Sequence, residues 1–364
     1  MIKTWTADDP ETLASSLLKR ILYLLSLPYR LLVEVRNSLY DRSVLKQKHL
    51  PCKVISVGNI TVGGTGKTPM TILLAKLLKD AGFRPAILSR GYRGKNSSGV
   101  NVVSDGQRVL MNADEGGDEP LLIAHTCPDI PVITGPKRHL TGRFAVEHFG
   151  VDILVLDDGF QHRRLFRDID IVLVDAQRPF GNGFLLPRGP LRETKTALRR
   201  ADIIVKTEVE ASTAVTQNGR CLRPDNHIRD VFRGQREPRE FIERKSGQSL
   251  LPVDWRDKKV CAFAGIAVPD SFKKTLEKIG VDVTAWLTFP DHHRYTYNDI
   301  KEIKRLARQA DVDAVVTTEK DGVKLSGYPE FLADIYLLKI EMTISPSQDM
   351  LKAAILDKLR THKE

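Results

Sequence analysis

A glycine-rich loop between a short apolar run and a helical pattern constrains this chain more than any other stretch. The apolar run Val54–Val57 precedes the loop and predicts a buried strand. The loop closes with Gly66-Lys67-Thr68, and apolar residues then recur at helical spacing: Met70, Leu73, Leu74, Leu77 and Leu78. Strand, glycine loop and helix in this order form the setting in which a phosphate-binding P-loop works.

The loop suits a phosphate group for local physical reasons. Glycines let backbone N–H groups converge on phosphate oxygens, and the helix N-terminus adds a partial positive charge. The predicted nucleotide-binding residues are Thr61, Val62, Gly63, Gly64, Thr65, Gly66, Lys67 and Thr68. We expect Lys67 to reach the β- and γ-phosphates and to act in catalysis, and the Thr68 hydroxyl to bind Mg²⁺. Thr61 stands where the motif G-x-x-x-x-G-K-[ST] has its first glycine, so an ordinary glycine-rich turn is the alternative.

A second acidic signal follows downstream. The apolar run Val151–Leu156 predicts a strand that ends in Asp157-Asp158. A carboxylate at the end of such a strand can hold Mg²⁺ beside a P-loop, as in the Walker-B arrangement. We therefore predict Thr68, Asp157 and Asp158 as the metal ligands, although paired aspartates are also common in turns. Further apolar strands alternate with helical segments, which predicts a P-loop NTPase-like, mostly parallel α/β sheet with ligands at its carboxyl edge.

The second half of the chain predicts a smaller α/β domain. Residues 208–257 are polar without a sustained period, and strand and helix patterns alternate again from residue 258. The predicted domains are an N-terminal membrane-associating helical segment (1–48), a nucleotide-binding domain (49–207), a connector with short strands (208–257) and a smaller domain that completes the active-site cleft (258–364). His292 follows Asp291 directly after a predicted strand, where it is either a catalytic residue or a polar surface residue.

The overall charge is consistent with an anionic partner. The chain of 364 residues carries a formal net charge of +10, which suits a nucleotide, a phosphorylated substrate, an acidic lipid surface or a nucleic acid. Its four cysteines are scattered without a C-x-x-C pair or metal-ligand spacing. This pattern indicates thiols of a reducing compartment, and we expect the cytoplasm.

The N-terminal segment 13–35 is rich in leucine and interrupted by Lys19, Arg20 and Arg30. Its uncharged run Ile21–Tyr29 is shorter than the roughly 20 residues that a membrane-spanning helix needs, and it lacks the cleavage site of a signal peptide. The pattern predicts a basic amphipathic helix with a kink at Pro28. Such a helix either packs on the core of the protein or lies in a membrane interface.

Two basic loops are candidate anion sites. Arg90 begins a glycine-jointed loop after a predicted strand, and Phe180–Glu193 is an irregular segment in which Arg188 and Arg192 stand near Phe184. The second loop is either a plain surface loop or a site for an amphiphilic anion.

Taken together, these motifs resemble those of the tetraacyldisaccharide 4′-kinases, the lipid A 4′-kinases of Gram-negative envelope biosynthesis. Eight blocks match in order: Ser56–Pro69, Leu88–Gly94, Gly117–Pro120, Asp157–His162, Gly181–Glu193, Ala262–Ala267, Pro290–His292 and Thr318–Asp321. No single block is specific, but eight in order are. The family also has the shifted glycine loop, so Thr61 is compatible with it.

The resemblance implies ATP- and Mg²⁺-dependent phosphorylation of the 4′-hydroxyl of an acylated disaccharide 1-phosphate glycolipid. It places the enzyme on the cytoplasmic face of the bacterial inner membrane, held there by the N-terminal helix. It further implies that Asp118 is the base and that His292, from the other domain, assists it, so that closure of the cleft assembles the pair. Glu119 would position the substrate, with Arg90, Arg188 and Arg192 as further tentative substrate contacts.

Two other classes of P-loop protein are alternatives. A switch or metallochaperone that acts on a protein partner would need, in its partition-ATPase form, a lysine where this chain has Val62, and a guanine-specific N-K-x-D loop is missing. A nucleic-acid-dependent ATPase would use the positive charge, but the sequence contains no recognisable nucleic-acid-binding module. We therefore expect no nucleic-acid partner.

Overall fold

The computed structural model of this chain describes residues 13–91, 99–207, 220–222 and 228–361. Within these ranges the helices are α1 Leu13–Asp41, α2 Lys67–Asp80, α3 Ala113–Gly116, α4 Asp118–Thr126, α5 Arg138–Phe149, α6 Pro269–Lys278, α7 Tyr297–Gln309, α8 Glu319–Lys324, α9 Pro329–Ala333 and α10 Gln348–Thr361. The strands are β1 Lys53–Asn59, β2 Pro85–Ser89, β3 Asn101–Ser104, β4 Val132–Thr134, β5 Ile153–Asp157, β6 Ile169–Asp175, β7 Ile203–Thr207, β8 Arg220–Leu222, β9 Ile228–Glu243, β10 Ser249–Leu250, β11 Lys259–Ala264, β12 Asp282–Thr288, β13 Ala314–Thr318 and β14 Tyr336–Ser345. Parts of four predictions lie outside the described residues: 1–12 of the N-terminal segment, 92–94 of the basic loop, 208–219 and 223–227 of the connector, and 362–364 of the smaller domain.

The chain forms two compact units. Unit 1 comprises Met1–Arg90, Lys137–Gln235 and Thr343–Glu364, and unit 2 comprises Gly91–Pro136 and Arg236–Met342. This division differs from the predicted domain boundaries in two places. Residues 91–136 were assigned to the nucleotide-binding domain, but they belong to unit 2 because α4 packs against α8 there. The final residues 343–364 were assigned to the smaller domain and return instead to unit 1.

Unit 1 is organised by a parallel sheet with the strand order β2-β5-β1-β6-β7-β9. Ile55 in the central strand β1 pairs with Val155 on one side and with Ile169 on the other. The central strands are apolar and buried because helices cover both faces of a parallel sheet. The adjacent strands β1 and β5 therefore end at the same edge, which places the glycine loop beside Asp157 and Asp158. The predicted mostly parallel α/β fold is confirmed.

The last helix, α10, completes unit 1. Its buried residues Leu351, Ile355 and Leu359 face the sheet, and α10 contacts β6. Ile355 and Leu356 lie beside Leu74, Leu77 and Leu78 of α2. The helix that follows the glycine loop is thus packed in part by α10.

Helix α1 is fastened to unit 1 through its C-terminal half. The Tyr29 hydroxyl donates to the carbonyl oxygen of Arg192 at 2.9 Å. Arg36 and Asn37 donate to the carboxylate of Glu193 at 3.2 and 2.8 Å. Glu193 is fully buried, so these contacts tie the helix to the interior of the unit.

The apolar side chains of α1 are nevertheless mostly exposed. Leu24 and Leu31 are 63% exposed and Leu32 is 70% exposed. The other exposed apolar residues of this helix are Leu17, Leu18, Ile21, Tyr23, Leu25, Leu27 and Val35. In the described part of the chain, no helix combines the length and the apolar character required to cross a bilayer. Packing on the core of the protein therefore explains only a minor part of the leucine pattern.

Unit 2 contains the parallel strands β12-β11-β13-β14 and the antiparallel pair β3 and β4. Two apolar clusters fill it, one around Trp255 and Phe241 and one around Phe263 and Tyr295. Parallel pairing puts the carboxyl ends of β12 and β13 on one side of the sheet, as in other α/β sheets. The two loops that carry charged residues in this half of the sequence follow these strand ends.

The predicted connector contains a long strand, which corrects the expectation of short strands only. β9 spans sixteen residues, Ile228–Glu243. Its charged residues pair with opposite charges on β14. Glu240 of β9 lies 2.7 Å from Lys339 of β14, and Arg239 of β9 lies 3.8 Å from Glu341 of β14. Cross-strand charge pairs can stabilise a sheet, but they remove the apolar alternation by which a strand is recognised in a sequence.

A glycine of the central strand offers a test of this packing. A Cβ atom at Gly58 would lie 2.6 Å from Cβ of Phe160 and 2.9 Å from its backbone nitrogen. We expect Gly58→Ala to lower the free energy of unfolding by about 1–3 kcal/mol because this part of the core has no room for the methyl group. Urea unfolding followed by circular dichroism measures the change. Gly327→Ala is the control, since a Cβ atom there meets no neighbour within 4 Å; equal losses in the two variants would contradict the prediction.

Candidate active site

The glycine loop has the geometry of an anion site. Gly66 has φ 86° and ψ 23° and precedes α2, in which Lys67 is the first residue. Gly63 has φ 127°, and neither Gly63 nor Gly64 has a neighbour within 4 Å of an added Cβ atom. The Lys67 ammonium donates to the carbonyl oxygen of Gly63 at 3.3 Å. The open glycine backbone and the N-terminus of α2 therefore lie where an anion can bind.

The stem of the loop is held by a second segment. The Asn59 amide donates to the Thr65 hydroxyl at 2.9 Å. The backbone N–H of Val62 donates to the carbonyl oxygen of Pro190, and that of Arg192 donates to the carbonyl oxygen of Ile60, both at 2.8 Å. The irregular segment Phe180–Glu193 thus pairs with the glycine loop and brings Arg192 to the edge of unit 1 that carries this loop.

Two carboxylates stand at the end of β5 and its following turn. Asp157 is 2% exposed and accepts a hydrogen bond from the Thr71 hydroxyl at 3.1 Å. Asp158 adopts a positive φ of 51°, and its carboxylate lies 2.8 Å from Arg192 and 3.7 Å from the Lys67 ammonium. Burial alone would raise the pKa of Asp158, but the charges of Lys67 and Arg192 outweigh it and hold this pKa below its ordinary value.

Arg138 is a further charged residue of this region, and the sequence analysis missed it. It is the first residue of α5 and is 3% exposed. Burial lowers the pKa of Arg138 to about 10, and Arg90 acts in the same direction, whereas Asp157 and Asp158 oppose the shift. It stays protonated at neutral pH. A cation in the first turn of a helix is unfavourable because it opposes the helix dipole. This unusual position is the sequence feature that could have identified Arg138 as a candidate site residue.

The oxygen groups near the glycine loop fit a magnesium ion. Thr68 offers a hydroxyl, and Asp157 and Asp158 offer carboxylates. Mg²⁺ is usually held by one or two carboxylates while phosphate oxygens and water complete its octahedron. Within the described ranges no group of three or more His, Cys, Asp or Glu side chains could hold a metal ion. The donor set of unit 1 is therefore of the kind that takes Mg²⁺ together with phosphate.

Unit 2 contains a carboxylate–imidazole pair. Asp118 begins α4 directly after Gly117, whose φ is 90°, and is 7% exposed. Its two oxygens lie 2.8 and 3.0 Å from Nδ1 of His292. Both residues belong to unit 2, so the pair is formed within one compact unit, whereas the predicted boundaries placed its members in different domains. The reason is the assignment of residues 91–136, which carry Asp118 into the unit that contains His292.

Asp118 is held in its ionised form by its surroundings. Burial alone would raise the pKa of Asp118, but the hydrogen bond from His292 and the charge of Lys320 outweigh it, and Lys324 adds a smaller effect. The pKa of Asp118 consequently lies below its ordinary value. Asp118 is therefore a carboxylate at neutral pH.

Lys320 is a second residue that the sequence analysis did not single out. Its ammonium lies 3.0 Å from Glu119, 3.4 Å from Asp291 and 3.8 Å from Asp118. Burial would lower the pKa of Lys320, but these three carboxylates outweigh it and raise this pKa. The signal was present in the block Thr318–Asp321, which places mixed charges directly after a strand.

The buried carboxylate of Asp321 anchors the same region. Asp321 is fully buried and accepts the backbone N–H of Gly265 at 3.1 Å and the Tyr295 hydroxyl at 2.9 Å. It also accepts the Thr318 hydroxyl at 2.7 Å and pairs with Lys324 at 2.6 Å. Because Tyr295 lies three residues after His292, Asp321 connects the start of α8 to the histidine loop.

The remaining predicted residues are dispersed. Arg90 is exposed. The Arg188 guanidinium lies over the Phe184 ring at 4.8 Å, and Phe184 contacts Tyr23 of α1 edge-on at 5.8 Å. Arg192 is paired with Asp158. Glu119, by contrast, lies beside Asp118 in unit 2 and binds Lys320.

Comparison with known proteins agrees with the motifs. The family model for tetraacyldisaccharide-1-P 4′-kinase (LpxK) matches residues 18–360. The tetraacyldisaccharide 4′-kinase of Syntrophus aciditrophicus is 51% identical over 336 residues, which cover 90% of this chain and 90% of that protein. The tetraacyldisaccharide 4′-kinase of Desulfatibacillum aliphaticivorans is 41% identical over 346 residues, with 92% of each chain covered.

A solved structure gives the same result. The crystal structure of the "apo" form of LpxK from Aquifex aeolicus in complex with ATP matches with a TM-score of 0.76 at 33% identity. The match covers 94% of this chain and 99% of that chain. From the family model, the relatives and this structure, it follows that the chain belongs to the tetraacyldisaccharide 4′-kinase family.

Proposed function

We propose that this chain is a kinase that transfers the γ-phosphate of ATP to the 4′-hydroxyl of a tetraacylated glucosamine disaccharide 1-phosphate. The observation that carries the proposal is the hydrogen-bonded pair of Asp118 and His292 in a chain that also has a P-loop. A P-loop serves any nucleotide-binding protein, whereas an acceptor hydroxyl must also lose its proton to a group within hydrogen-bond reach. The pair supplies that group.

On the donor side, the residues of unit 1 position phosphate and neutralise its charge. The N–H groups of the glycine loop and the Lys67 ammonium bind the β- and γ-phosphates, and Arg192 and Arg138 add positive charge. Thr68, Asp157 and Asp158 would hold Mg²⁺, which supplies charge neutralisation between the phosphates when it is bound. Phosphoryl transfer passes through a loose transition state, so positioning and charge neutralisation are most of what the protein must provide.

On the acceptor side, we assign distinct roles to the two members of the pair. Asp118 accepts a hydrogen bond from Nδ1–H of His292, which fixes the imidazole tautomer, as in other carboxylate–histidine pairs. We assign the proton of the sugar hydroxyl to Nε2, which lies 3.5 Å from the carboxylate of Asp291. The O–H bond of the sugar breaks as its oxygen attacks the γ-phosphorus, and the proton goes to Nε2. The bond between the γ-phosphorus and the bridging oxygen breaks at the same time, and ADP leaves. Asp118 stabilises the resulting imidazolium. The sequence-based expectation that Asp118 itself takes the proton is the alternative.

Glu119 and two arginines are assigned to the substrate. Glu119 adjoins Asp118 at the start of α4, where its partly exposed carboxylate can accept hydrogen bonds from hydroxyl groups of the sugar. Arg90 and Arg188 offer positive charge to the 1-phosphate. Arg192 is assigned to the donor phosphates instead because it is bound to Asp158 and to the stem of the glycine loop.

The alternative function, a P-loop switch or metallochaperone that acts on a protein partner, is less well supported. Such proteins transfer the γ-phosphate to water, whose proton a carboxylate or an imidazole can also take. The family to which the chain belongs is one of kinases, which favours transfer to a substrate hydroxyl.

The first prediction concerns the proton acceptor. We expect His292→Gln and Asp118→Asn each to lower kcat by about 10²- to 10⁴-fold, the range of general base catalysis, while ATP still binds. Transfer of radiolabelled phosphate from Mg²⁺-ATP to the glycolipid measures kcat, and calorimetry measures ATP binding. Asp270→Asn is the control because Asp270 also lies in the first turn of a helix of unit 2 but is exposed. A His292→Gln variant with the wild-type rate would rule out the assigned role of Nε2.

The second prediction concerns the donor phosphates. We expect Lys67→Ala to lower kcat by about 10²- to 10³-fold, the cost of removing one preorganised donor from a transition state, and to weaken ATP binding. Lys76→Ala in the same helix, α2, is the matched control. Calorimetric titration with Mg²⁺-ATP and the transfer assay measure the two effects. Unchanged ATP affinity and rate in Lys67→Ala would contradict the phosphate role.

We also propose that α1 places the enzyme on the cytoplasmic face of the bacterial inner membrane. Its exposed leucines offer apolar area to the acyl boundary, and Lys19, Arg20 and Arg30 suit anionic headgroups. The acyl chains of the glycolipid substrate lie in the same boundary. Support comes from the exposure of this leucine surface on a helix that is firmly attached to the rest of unit 1.

The third prediction tests this placement. We expect the triple variant Leu24→Glu, Leu31→Glu and Leu32→Glu to lose most of its co-sedimentation with anionic phospholipid vesicles because burying carboxylates in the acyl boundary is unfavourable. Leu251→Glu is the control, since Leu251 is 60% exposed outside α1. Substitution is preferable to deletion of the helix, which would also remove the partners of Glu193. Equal sedimentation of the triple variant and the control would contradict the interfacial role.

A further inference from the structure

Lys320 is a largely buried cation surrounded by carboxylates. Its side chain is 17% exposed and meets Glu119, Asp291 and Asp118 at 3.0, 3.4 and 3.8 Å. These carboxylates come from two different segments, the start of α4 and the loop after β12. An ammonium group is buried at a large cost in hydration unless it is paired. Its position therefore depends on all three carboxylates, and theirs depend on it.

The backbone that carries Lys320 is fixed independently of these contacts. Thr318 caps α8 by accepting the N–H of Asp321 at 3.0 Å. The Asp321 carboxylate is bound by Gly265, Tyr295 and Lys324. The first turn of α8 is therefore a rigid base from which the Lys320 side chain extends to α4 and to the histidine loop.

We propose that Lys320 is a positioning residue of the acceptor site, which holds the carboxylates of Asp118, Glu119 and Asp291 in one arrangement around His292. The inference rests on the proposed kinase function because it assigns Lys320 a role in orienting the proton-accepting pair. Lys320 acts through Asp118 and His292: the ammonium draws Asp118 toward α8, and the hydrogen bond from Asp118 then orients the imidazole.

The charge of Lys320 gives this role a signature that a purely structural residue would lack. The charged and titratable groups that face Asp118 are His292, Lys320 and, farther away, Lys324. Those that face Lys320 are Glu119, Asp118 and Asp291. Removing the positive charge of Lys320 raises the pKa of Asp118, and Asp118 must be ionised to orient His292. The acid limb of the kcat–pH profile should therefore move to higher pH.

The experiment compares three variants of the full chain: Lys320→Met, Lys320→Arg and Lys274→Met. Lys274 is an exposed lysine of α6 in the same unit and controls for the loss of one positive charge. Each protein is assayed with Mg²⁺-ATP and the tetraacylated disaccharide 1-phosphate in detergent micelles. The measured quantities are kcat, KM for each substrate, the kcat–pH profile and the melting temperature.

We expect Lys320→Met to lower kcat by about 100-fold, the loss that a displacement of roughly 1 Å at a catalytic group can cause, with KM for ATP unchanged. Its acid limb should move upward by about one pH unit or more, the effect of removing one close opposite charge from a carboxylate. Lys320→Arg keeps the charge and should retain the wild-type acid limb with a smaller loss of kcat. Lys274→Met should behave as wild type in every measurement.

The inference is overturned if folded Lys320→Met has the wild-type kcat and the wild-type acid limb. This holds whether its melting temperature is unchanged or lower, because a lower melting temperature alone would indicate a purely structural role. If Lys320→Met does not fold, Lys320→Gln, which can still hydrogen-bond to Glu119, is judged by the same kcat and acid limb. Failure of the proposed function would look different, since the wild-type protein would then transfer no phosphate to the glycolipid.

Discussion

An ionised carboxylate gives up its hydration when it is buried, and it stays buried only where cations or hydrogen-bond donors replace the water. Asp118, Glu193 and Asp321 are each at most 7% exposed, and each is met by groups from a distant part of the chain. His292 and Lys320 bind Asp118, Arg36 and Asn37 bind Glu193, and the backbone N–H of Gly265 and the hydroxyl of Tyr295 bind Asp321. These pairings hold together the loops that carry the candidate site, so the site depends on them more than on any single element of secondary structure.

The same constraint explains why an irregular segment is so well defined. Phe180–Glu193 contains several glycines and prolines, and it forms no helix or regular strand. Its backbone is nevertheless bonded to the stem of the glycine loop at Val62 and Ile60, and its final residue is the buried Glu193. Arg192 consequently has one position, beside Asp158. A segment with the composition of a surface loop therefore forms part of the candidate phosphate site.

The parts of the site that the sequence predicted are those determined locally. The glycine loop, Lys67 and the aspartates after β5 follow from the order strand, loop, helix and from the geometry of parallel strands, so the motif and the fold could both be predicted. The grouping of residues 91–136 with unit 2 could not be predicted from the sequence because it depends on the packing of α4 against α8. Lys320 and Arg138 were missed because their sequence signals, mixed charges after a strand and a cation in the first turn of a helix, gain meaning only when the tertiary fold buries both residues near carboxylates. β9 was missed because its charges are satisfied by β14, which no local pattern shows.

The return of residues 343–364 to unit 1 has a consequence for how the protein is made. Ile355 and Leu356 of α10 lie beside Leu74, Leu77 and Leu78 of α2, and Lys358 pairs with Asp230 at 3.2 Å. A ribosome synthesises the glycine loop early, but the helix behind it lacks part of its apolar cover until α10 emerges. Domains generally fold as units, and unit 1 cannot be completed until the whole of unit 2 has also been synthesised. We expect nascent chains released before α10 to expose the apolar side of α2, which makes them targets for chaperones and proteases rather than partially active enzymes.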